Sequence, residues 1–485
     1  MGNALYSTAQ IRDIEERAIK AAGSPGELMA KAGRAAYAIL RQSWPSARQV
    51  MVFCGPGNNG GDGYVLAENA AAAGLHVRIV AIGDPGSAEA KAARADALKA
   101  GAELVDKTHD AIRDVDVVVD ALLGIGCSGE LRAPFRGLIE WINKSDLPCL
   151  AIDVPSGLDA DRGTAHPEAV RADRTITFIG LKSGLFTGKA RDYVGDVYLD
   201  PLVDSDALHE ARPWGQLIDD AWVQARLPKR WGSFHKGDAG HLVVVGGGIG
   251  MPGAASLCGL AGLRSGAGRV SVGCHPDNAA VIGSRCSELM VHPIHSARDL
   301  AKLLHKADVV ALGPGLGQDS WAQEIFGSCL ESRVRKVIDA DGLNLLAKEP
   351  KTLEHSVLTP HPGEAARLLG CSAEAIEADR PVALDALCGK YRGVTVLKGA
   401  GTLVGSEQGA RMVCDRGHPG MASAGMGDVL TGVIASLAAQ GLDLFDAAAI
   451  GTWWHACAGD QVGQIYGSSG LLASEVAEHL PRVIR

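Results

Sequence analysis

The sequence predicts an α/β protein of two domains, each built on a buried parallel sheet. Three observations carry this: short apolar β-rich runs alternate with Ala-rich helical patterns, glycine loops follow several of those runs, and the alternation breaks once. The first series of runs is 50–53, 77–82, 115–119 and 150–152. The break is DPLVDSDALHEARPWGQLIDD, where acids and two prolines crowd between periodic segments, and it reads as a linker. The alternation restarts at 242–245, 270–272, 309–312, 337–338 and 394–397, with long apolar helical patterns from Asp428 onward. The expected domains are 1–210 and 225–485, within the two to four that about 150 residues per domain allows.

Composition narrows the function classes. A chain that is 47% hydrophobic and 21% charged is neither disordered, collagenous nor a coiled coil. The 47 basic and 56 acidic residues leave a net charge of −9, which argues against a nucleic-acid scaffold and a polybasic membrane surface and toward small-molecule partners. The 11 cysteines form no Cys-x-x-Cys pair, so neither a zinc site nor a disulfide framework is written in their spacing, and the cytoplasm is the expected compartment. The opening MGNALYSTAQIRDIEERAIK lacks an apolar core for export, and Tyr6 stands where a myristoylation signal has Ser or Thr. The uncharged stretch 242–263 is long enough for a bilayer, but Gly246, Gly247, Gly248, Gly250, Pro252 and Gly253 interrupt it, so it reads as strand, loop and helix.

Three segments match GxGxxG, beginning at Gly55, Gly124 and Gly248. A glycine loop at the carboxyl end of a parallel strand turns free backbone N–H groups toward a phosphate, although a bare strand-to-helix turn has the same pattern. The first loop, CGPGNNGGDG, adds Asn58, Asn59 and Asp62; VVVDALLGIGCSGE ends a strand at Asp120; LAIDVPSGLD ends another with Asp153 and Ser156. One such acid usually caps a turn. Three strand ends on one rim suggest hard oxygen ligands for a cation beside an anionic ligand.

In the second half, HPGMASAGMGDVLTGVIA places Gly425, Gly427 and Asp428 before an apolar helix. Amides at such a helix start suit developing phosphate charge, with Asp428 either a base beside them or merely the helix cap. Lys398-Gly399-Ala400-Gly401-Thr402 offers a cation, flexible backbone and a hydroxyl after a strand, or else a hairpin turn with an exposed lysine. His361 lies between Pro360 and Pro362, whose restricted backbone favours a positioned side chain.

The motifs CGPGNNGGDG, VDALLGIGCSGELRAPF, AIDVPSGLDA and LMAKAG, in that region and order, resemble the YjeF N-terminal domain, the epimerase of hydrated nicotinamide nucleotides, across 5–200. The resemblance implies a Rossmann-like three-layer domain. It also implies that the hydrate is held by Asn58, Asn59, Gly60, Gly61 and Asp62, by Gly124, Ile125, Gly126, Cys127, Ser128, Gly129 and Glu130, and by Asp153. A potassium ion would sit among Asn59, Asp120 and Ser156, with Asp153 as the acid–base group and Lys182 as a second catalytic candidate or a solvated surface lysine.

Residues 230–480 resemble the ribokinase-like ADP- or ATP-dependent NAD(P)H-hydrate dehydratase, on ADVVALGPGLGQ, KVIDADGLNLLA, VLTPHPGEAARLLG, VLKGAGTLV and the Gly-Met-Gly-Asp segment. By that likeness Ala254, Gly315, Gly317, His361 and Asp428 contact the hydrate, while Lys398, Gly399, Ala400, Gly401, Thr402 and Gly427 bind ADP or AMP. The fusion resembles the bifunctional NAD(P)H-hydrate repair enzymes. It implies Mg²⁺ with ADP as co-substrate, Asp428 as general base, no nucleic-acid or membrane partner, and a homo-oligomer. The family has Gly where Ala424 stands, and a Cβ there would disturb the anion loop if the position needed positive φ.

Other readings stay open. A vitamin or sugar kinase joined to a nucleotide-binding module would use the same Gly-Met-Gly-Asp helix start and release a stable phosphorylated alcohol. A sensor or lipoprotein-binding module could keep the first fold without turnover, although Asn59, Asp120, Asp153 and Ser156 together speak against it. No single glycine loop is followed by the clear acid that a dehydrogenase fingerprint requires. Walker A, HExxH and GxSxG motifs are absent.

Overall fold

The computed structural model describes residues 3–22, 24–105, 114–126, 131, 133–203 and 211–484, and the chain divides into two compact units, Met1–Gln216 and Leu217–Arg485. The first opens with β1 (Ala4–Tyr6) and the helices Thr8–Ala22 and Pro25–Ser43. Its further strands are β2 (Gln49–Cys54), β3 (His76–Ala81), β4 (Glu103–Leu104), β5 (Val117–Ala121), β6 (Cys149–Ile152), β7 (Arg174–Phe178), β8 (Leu181–Lys182) and β9 (Asp196–Asp200). One parallel sheet runs β4-β3-β2-β5-β6-β7-β9. Because side chains alternate along a strand, Val50, Val52 and Cys54 enter a core with the helices Pro25–Ser43, Asn58–Ala72 and Ala88–Lys99, while Met51 and Phe53 enter another with Ala133–Lys144. The result is the three-layer arrangement expected. The order reverses between β2 and β5, and a crevice at that switch point is where such sheets take ligands.

β10 (Gly215–Leu217) lies at the boundary between the units. The second unit contains β11 (His241–Val245), β12 (Arg269–Cys274), β13 (Met290–Pro293), β14 (Val309–Leu312), β15 (Arg335–Ile338), β16 (Ser356–Leu358), β17 (Val394–Leu397), β18 (Thr402–Gly405) and β19 (Arg411–Cys414). They lie in the order β13-β12-β11-β14-β15-β16-β17-β18-β19, parallel through β17 and antiparallel beyond it. The apolar helices Met426–Ala439 and Leu444–Tyr466 share one core with Pro252–Arg264 and alternate strand residues such as Val244, Val272 and Val337. The stretch 242–263 is indeed strand, loop and helix, and no helix of the described residues is long and apolar enough to cross a membrane.

The runs marked in the sequence are central strands of these sheets. Strands β1, β4, β7, β8, β9, β10, β13, β16, β18 and β19 fall outside them, because stretches of two to five residues carry little readable period.

Candidate active sites

In the first unit, a cavity of about 490 Å³ opens at the switch point, lined by Asn58, Asn59, Asp62, Gly124, Ile125, Gly126, Asp153 and Lys182. Cys127, Ser128, Gly129 and Glu130 lie outside the described residues. The helix Asn58–Ala72 starts at Gly57 with no side chain capping it, so its first amides remain free for an anion. A Cβ on Gly60 would stand 1.9 Å from the Gly55 carbonyl oxygen, so this turn closes only with glycine there. Gly61 faces Met29 and belongs to the packing of the loop rather than to the cavity lining.

Asp153 follows β6 in the left-handed region, φ +66°, a costly conformation for a non-glycine residue that is typical of functional positions. Its Oδ1 accepts a 2.6 Å hydrogen bond from Lys182 Nζ. Lys182 is 1% exposed and donates further to Thr177 Oγ1 and the Phe178 carbonyl, so the surface-lysine alternative is excluded. A charge this deep is tolerated only when paired. Burial pushes the Asp62 carboxyl well above the usual range, and Asp153 and Glu15 push it further.

Asp120 is fully buried at the end of β5. It accepts from Ser156 Oγ at 2.7 Å, from Ser156 N at 2.8 Å and from Leu122 N, yet burial still raises its carboxyl to about 6. Both polar atoms of the Asn59 amide are buried without a hydrogen-bond partner. Carboxylate, hydroxyl and amide oxygens are the donor types that suit a hard cation, and an orphaned buried amide calls for a ligand.

In the second unit a cavity of about 450 Å³ is lined by Asp339, His361, Glu364, Lys398, Gly399, Gly425, Gly427 and Asp428, among others. The helix Met426–Ala439 begins at Gly425, φ +90°, again with no side-chain cap. Asp428 is therefore in the first turn and is not the cap. Positive φ falls on Gly425 and not on Ala424, so the Cβ at 424 costs the loop nothing. Burial first, and Asp339 second, lift the Asp428 carboxyl to about 7.

Beneath Gly427 lies a buried ion pair absent from the sequence reading. Lys398 Nζ is 2.8 Å from Asp339 Oδ1 and 3.6 Å from Glu364 Oε2, while Thr431 Oγ1 donates to Asp339 Oδ2 at 2.8 Å. Burial disfavours both charges, but each holds the other: Asp339 stays below the usual carboxylate range and Lys398 above the usual lysine range. Lys398, its side chain 18% exposed, is thus a largely enclosed member of the site and not an exposed cation on the turn. A Cβ on Gly427 would sit 3.2 Å from Lys398 Nζ, so glycine keeps the amide cradle open above that ammonium. Asp339 follows β15 directly, and the next residue, Ala340, is held at φ +49°. The sequence carried a signal for it, an acid closing an apolar run in KVIDADG, as at Asp120 and Asp153.

His361 caps the helix Pro362–Leu369: its Nδ1 accepts from Gly363 N at 3.0 Å, and its own backbone amide donates to Glu364 Oε2 at 2.8 Å. Burial lowers its pKa, so the ring is neutral and Nε2 carries the proton. Lys398–Thr402 forms the β17–β18 hairpin turn. Thr402 Oγ1 donates to the Gly399 carbonyl, and only Lys398 and Gly399 of the turn line the cavity, leaving Ala400, Gly401 and Thr402 outside it. Ala254, in the first turn of the helix Pro252–Arg264, meets Gly315 in the loop after β14, where a Cβ on Gly315 would lie 3.0 Å from that of Ala254. They and Gly317, whose amide donates to Asp341 Oδ2 at 2.9 Å, form a group apart from the His361–Asp428 lining.

A family described as NAD(P)H-hydrate dehydratase matches residues 242–482, and one described as the YjeF-related protein N-terminus matches residues 25–184. The bifunctional NAD(P)H-hydrate repair enzyme Nnr of Coxiella burnetii is 43% identical over 479 residues, 98% of this chain and 98% of its own. This chain belongs to the bifunctional NAD(P)H-hydrate repair enzymes. The repair enzyme Nnr of Escherichia coli is likewise 43% identical, over 94% of this chain and 89% of its own. Among solved structures, the ADP/ATP-dependent NAD(P)H-hydrate dehydratase of Bacillus subtilis, co-crystallised with ATP/Mg²⁺, is 28% identical with a TM-score of 0.51, covering 55% of this chain and 96% of that one. The second unit of the repair enzyme is therefore ribokinase-like, as its motifs implied.

Proposed function

We propose that the first unit exchanges the R and S hydrates of NADH and NADPH, and that the second returns the S hydrate to NAD(P)H at the expense of ADP, giving AMP and phosphate. The observation that carries this is the placement of Asp428, a carboxyl poised near neutrality beside uncapped helix amides and above the Lys398–Asp339 pair. A general base works best with a pKa near the operating pH.

The hydrate is a reduced nicotinamide ring that has added water, with the hydroxyl on C6 next to the ring nitrogen; hydroxide leaves carbon poorly, so this C6 hydroxyl must first be converted to a better leaving group. Asp428 takes the hydroxyl proton as the oxygen attacks the terminal phosphoryl of ADP. The P–O bond to the bridging oxygen breaks and AMP departs. The C6–O bond then breaks with loss of a C5 proton, restoring the ring double bond and releasing phosphate. The amides of Gly427 and its neighbours, with the Lys398 charge below, offset charge gathering on the transferred group. Mg²⁺ would enter on the nucleotide phosphates, its usual mode of binding, and neutralise them further. His361 Nε2–H, 3.5 Å from Glu364 Oε1, is a donor on the cavity lining that would turn to the hydrate.

In the first unit Asp153, fixed by Lys182, is the acid–base group for exchange at C6. K⁺ would be held by Asn59, Asp120 and Ser156, where it would order oxygens and screen the substrate phosphates. Replacing K⁺ by Li⁺ or choline is expected to slow exchange of the hydrates while leaving dehydration of the S form unchanged. The cytoplasm is the proposed compartment, consistent with cysteines that are all free thiols among the described residues.

The deciding experiment mixes the chain with purified R and S hydrates, ADP and Mg²⁺, and follows each by chromatography with phosphate release. The S form should disappear at one phosphate per NAD(P)H formed, and the R form only as fast as it is exchanged. Accumulation of a stable phosphorylated alcohol would instead identify a kinase.

A further inference from the structure

The helix Thr8–Ala22 precedes residue 25, where the match to the epimerase family begins, yet Ile11, Arg12, Glu15 and Ile19 all line the first unit's cavity. Spacings of three, four and eight put them on one helix face. That face is fixed at both ends of its contact. Thr8 gives two hydrogen bonds to the Asp161 carboxylate, at 2.7 and 2.6 Å, and Arg12 Nη2 donates at 3.3 Å to the carbonyl of Ile125 in the substrate loop. Ile11 and Ile14 are buried in the same core as Phe178 and Ile179.

Glu15 therefore enters a cavity that already holds Asp62, Asp153 and Lys182. The lining carries four carboxyl groups, on Glu15, Asp62, Glu89 and Asp153, against two cations, Arg12 and Lys182, and Lys182 is committed to Asp153 at 2.6 Å. Carboxyls outnumber cations there, which favours keeping a proton among them. We propose that Glu15 is a further catalytic residue of hydrate exchange, carrying a proton to and from the C6 oxygen in concert with Asp153.

The carboxylic acid gives its proton to the C6 hydroxyl, and the C6–O bond breaks with its electron pair leaving on water. The N1 lone pair forms an N1=C6 iminium. A water adds to the opposite face, and its proton passes to the carboxylate that lacks one. Nothing is oxidised or reduced. Burial and Asp153 hold the Glu15 carboxyl above the usual glutamate range, against the lowering influence of Lys182 and Arg12; Glu16 raises it further, and Asp62 and Glu89 are the other charged groups of the cavity.

This inference rests on the epimerase reading, and its test separates the two. In the full chain, Glu15→Gln is expected to lower kcat for R/S exchange about 100-fold with KM changed less than about twofold, a loss typical of general acid–base catalysis. The alkaline limb of the pH profile should vanish from the residual rate, Glu15→Asp should recover part of it, and dehydration of the S hydrate should be unchanged. Arg12→Ala, at an exposed position, should move that limb to higher pH. Wild-type kcat and pH profile in Glu15→Gln, a loss confined to KM, or an unmoved limb in Arg12→Ala would each overturn the role of Glu15. Failure of the wild-type chain to exchange the hydrates would overturn the epimerase reading itself.

Discussion

Asp428→Asn should make the second unit inactive and more stable at once. The carboxyl rises from the ordinary 3.8 to about 7, chiefly because burial penalises its charge. About three pKa units at ~1.36 kcal/mol each set a ceiling near 4 kcal/mol on the cost of holding the ion in the folded chain above neutrality. Its folded pKa lies above its unfolded one, so between pH 4 and 7 the folded chain keeps a proton that the unfolded chain has lost. Stability contributed by this group therefore falls as pH rises through that window and levels off above it. An amide has no charge to bury. The variant should accordingly melt at higher temperature than wild type at pH 8 and match it at pH 4, with dehydration slowed by 10²–10⁴ as for loss of a general base. Calorimetry of the full chain across pH, following the second-unit transition, reads the first effect, and phosphate release reads the second. A variant that melts lower at pH 8, or that keeps its turnover, would refute the assignment of a desolvated base at 428.

Asp153→Asn should abolish hydrate exchange while sparing dehydration, and it should lower the first unit's melting temperature; removing the partner of a buried ammonium costs about 3–5 kcal/mol. Gly60→Ala should reduce exchange more than about tenfold, because the added carbon meets the Gly55 carbonyl at 1.9 Å and the loop must shift; assaying both activities checks that dehydration is untouched. Thr431→Val removes a 2.8 Å hydrogen bond to the buried Asp339 carboxylate, so denaturant unfolding of the second unit should show a loss of about 1–3 kcal/mol.

The alternation of apolar runs was enough for two parallel sheets, because a strand covered on both faces is apolar throughout and stands out from its flanks. The glycine loops, Asp120, Asp153 and Asp428 were legible for a related reason: a glycine or an acid at the end of such a run is conspicuous. Short strands such as β16 and the partners of each acid were not. Lys398 read equally well as an exposed turn residue, and Lys182 as a surface one. Nothing local shows that the first meets Asp339 from 59 residues away, or that the second meets Asp153 from 29.

Sequence alone determined which backbone could approach an anion and which acids would stand on the rim of each sheet, since glycine and strand-end positions are properties of the local chain. Only the tertiary structure decided the protonation chemistry. The charge a carboxyl can carry depends on how much water it has lost and which charges it meets. That is why Asp428 titrates near neutrality, why Asp339 stays ionised beneath it, and why Glu15, one acid among several on an ordinary amphipathic helix, faces the first unit's cavity.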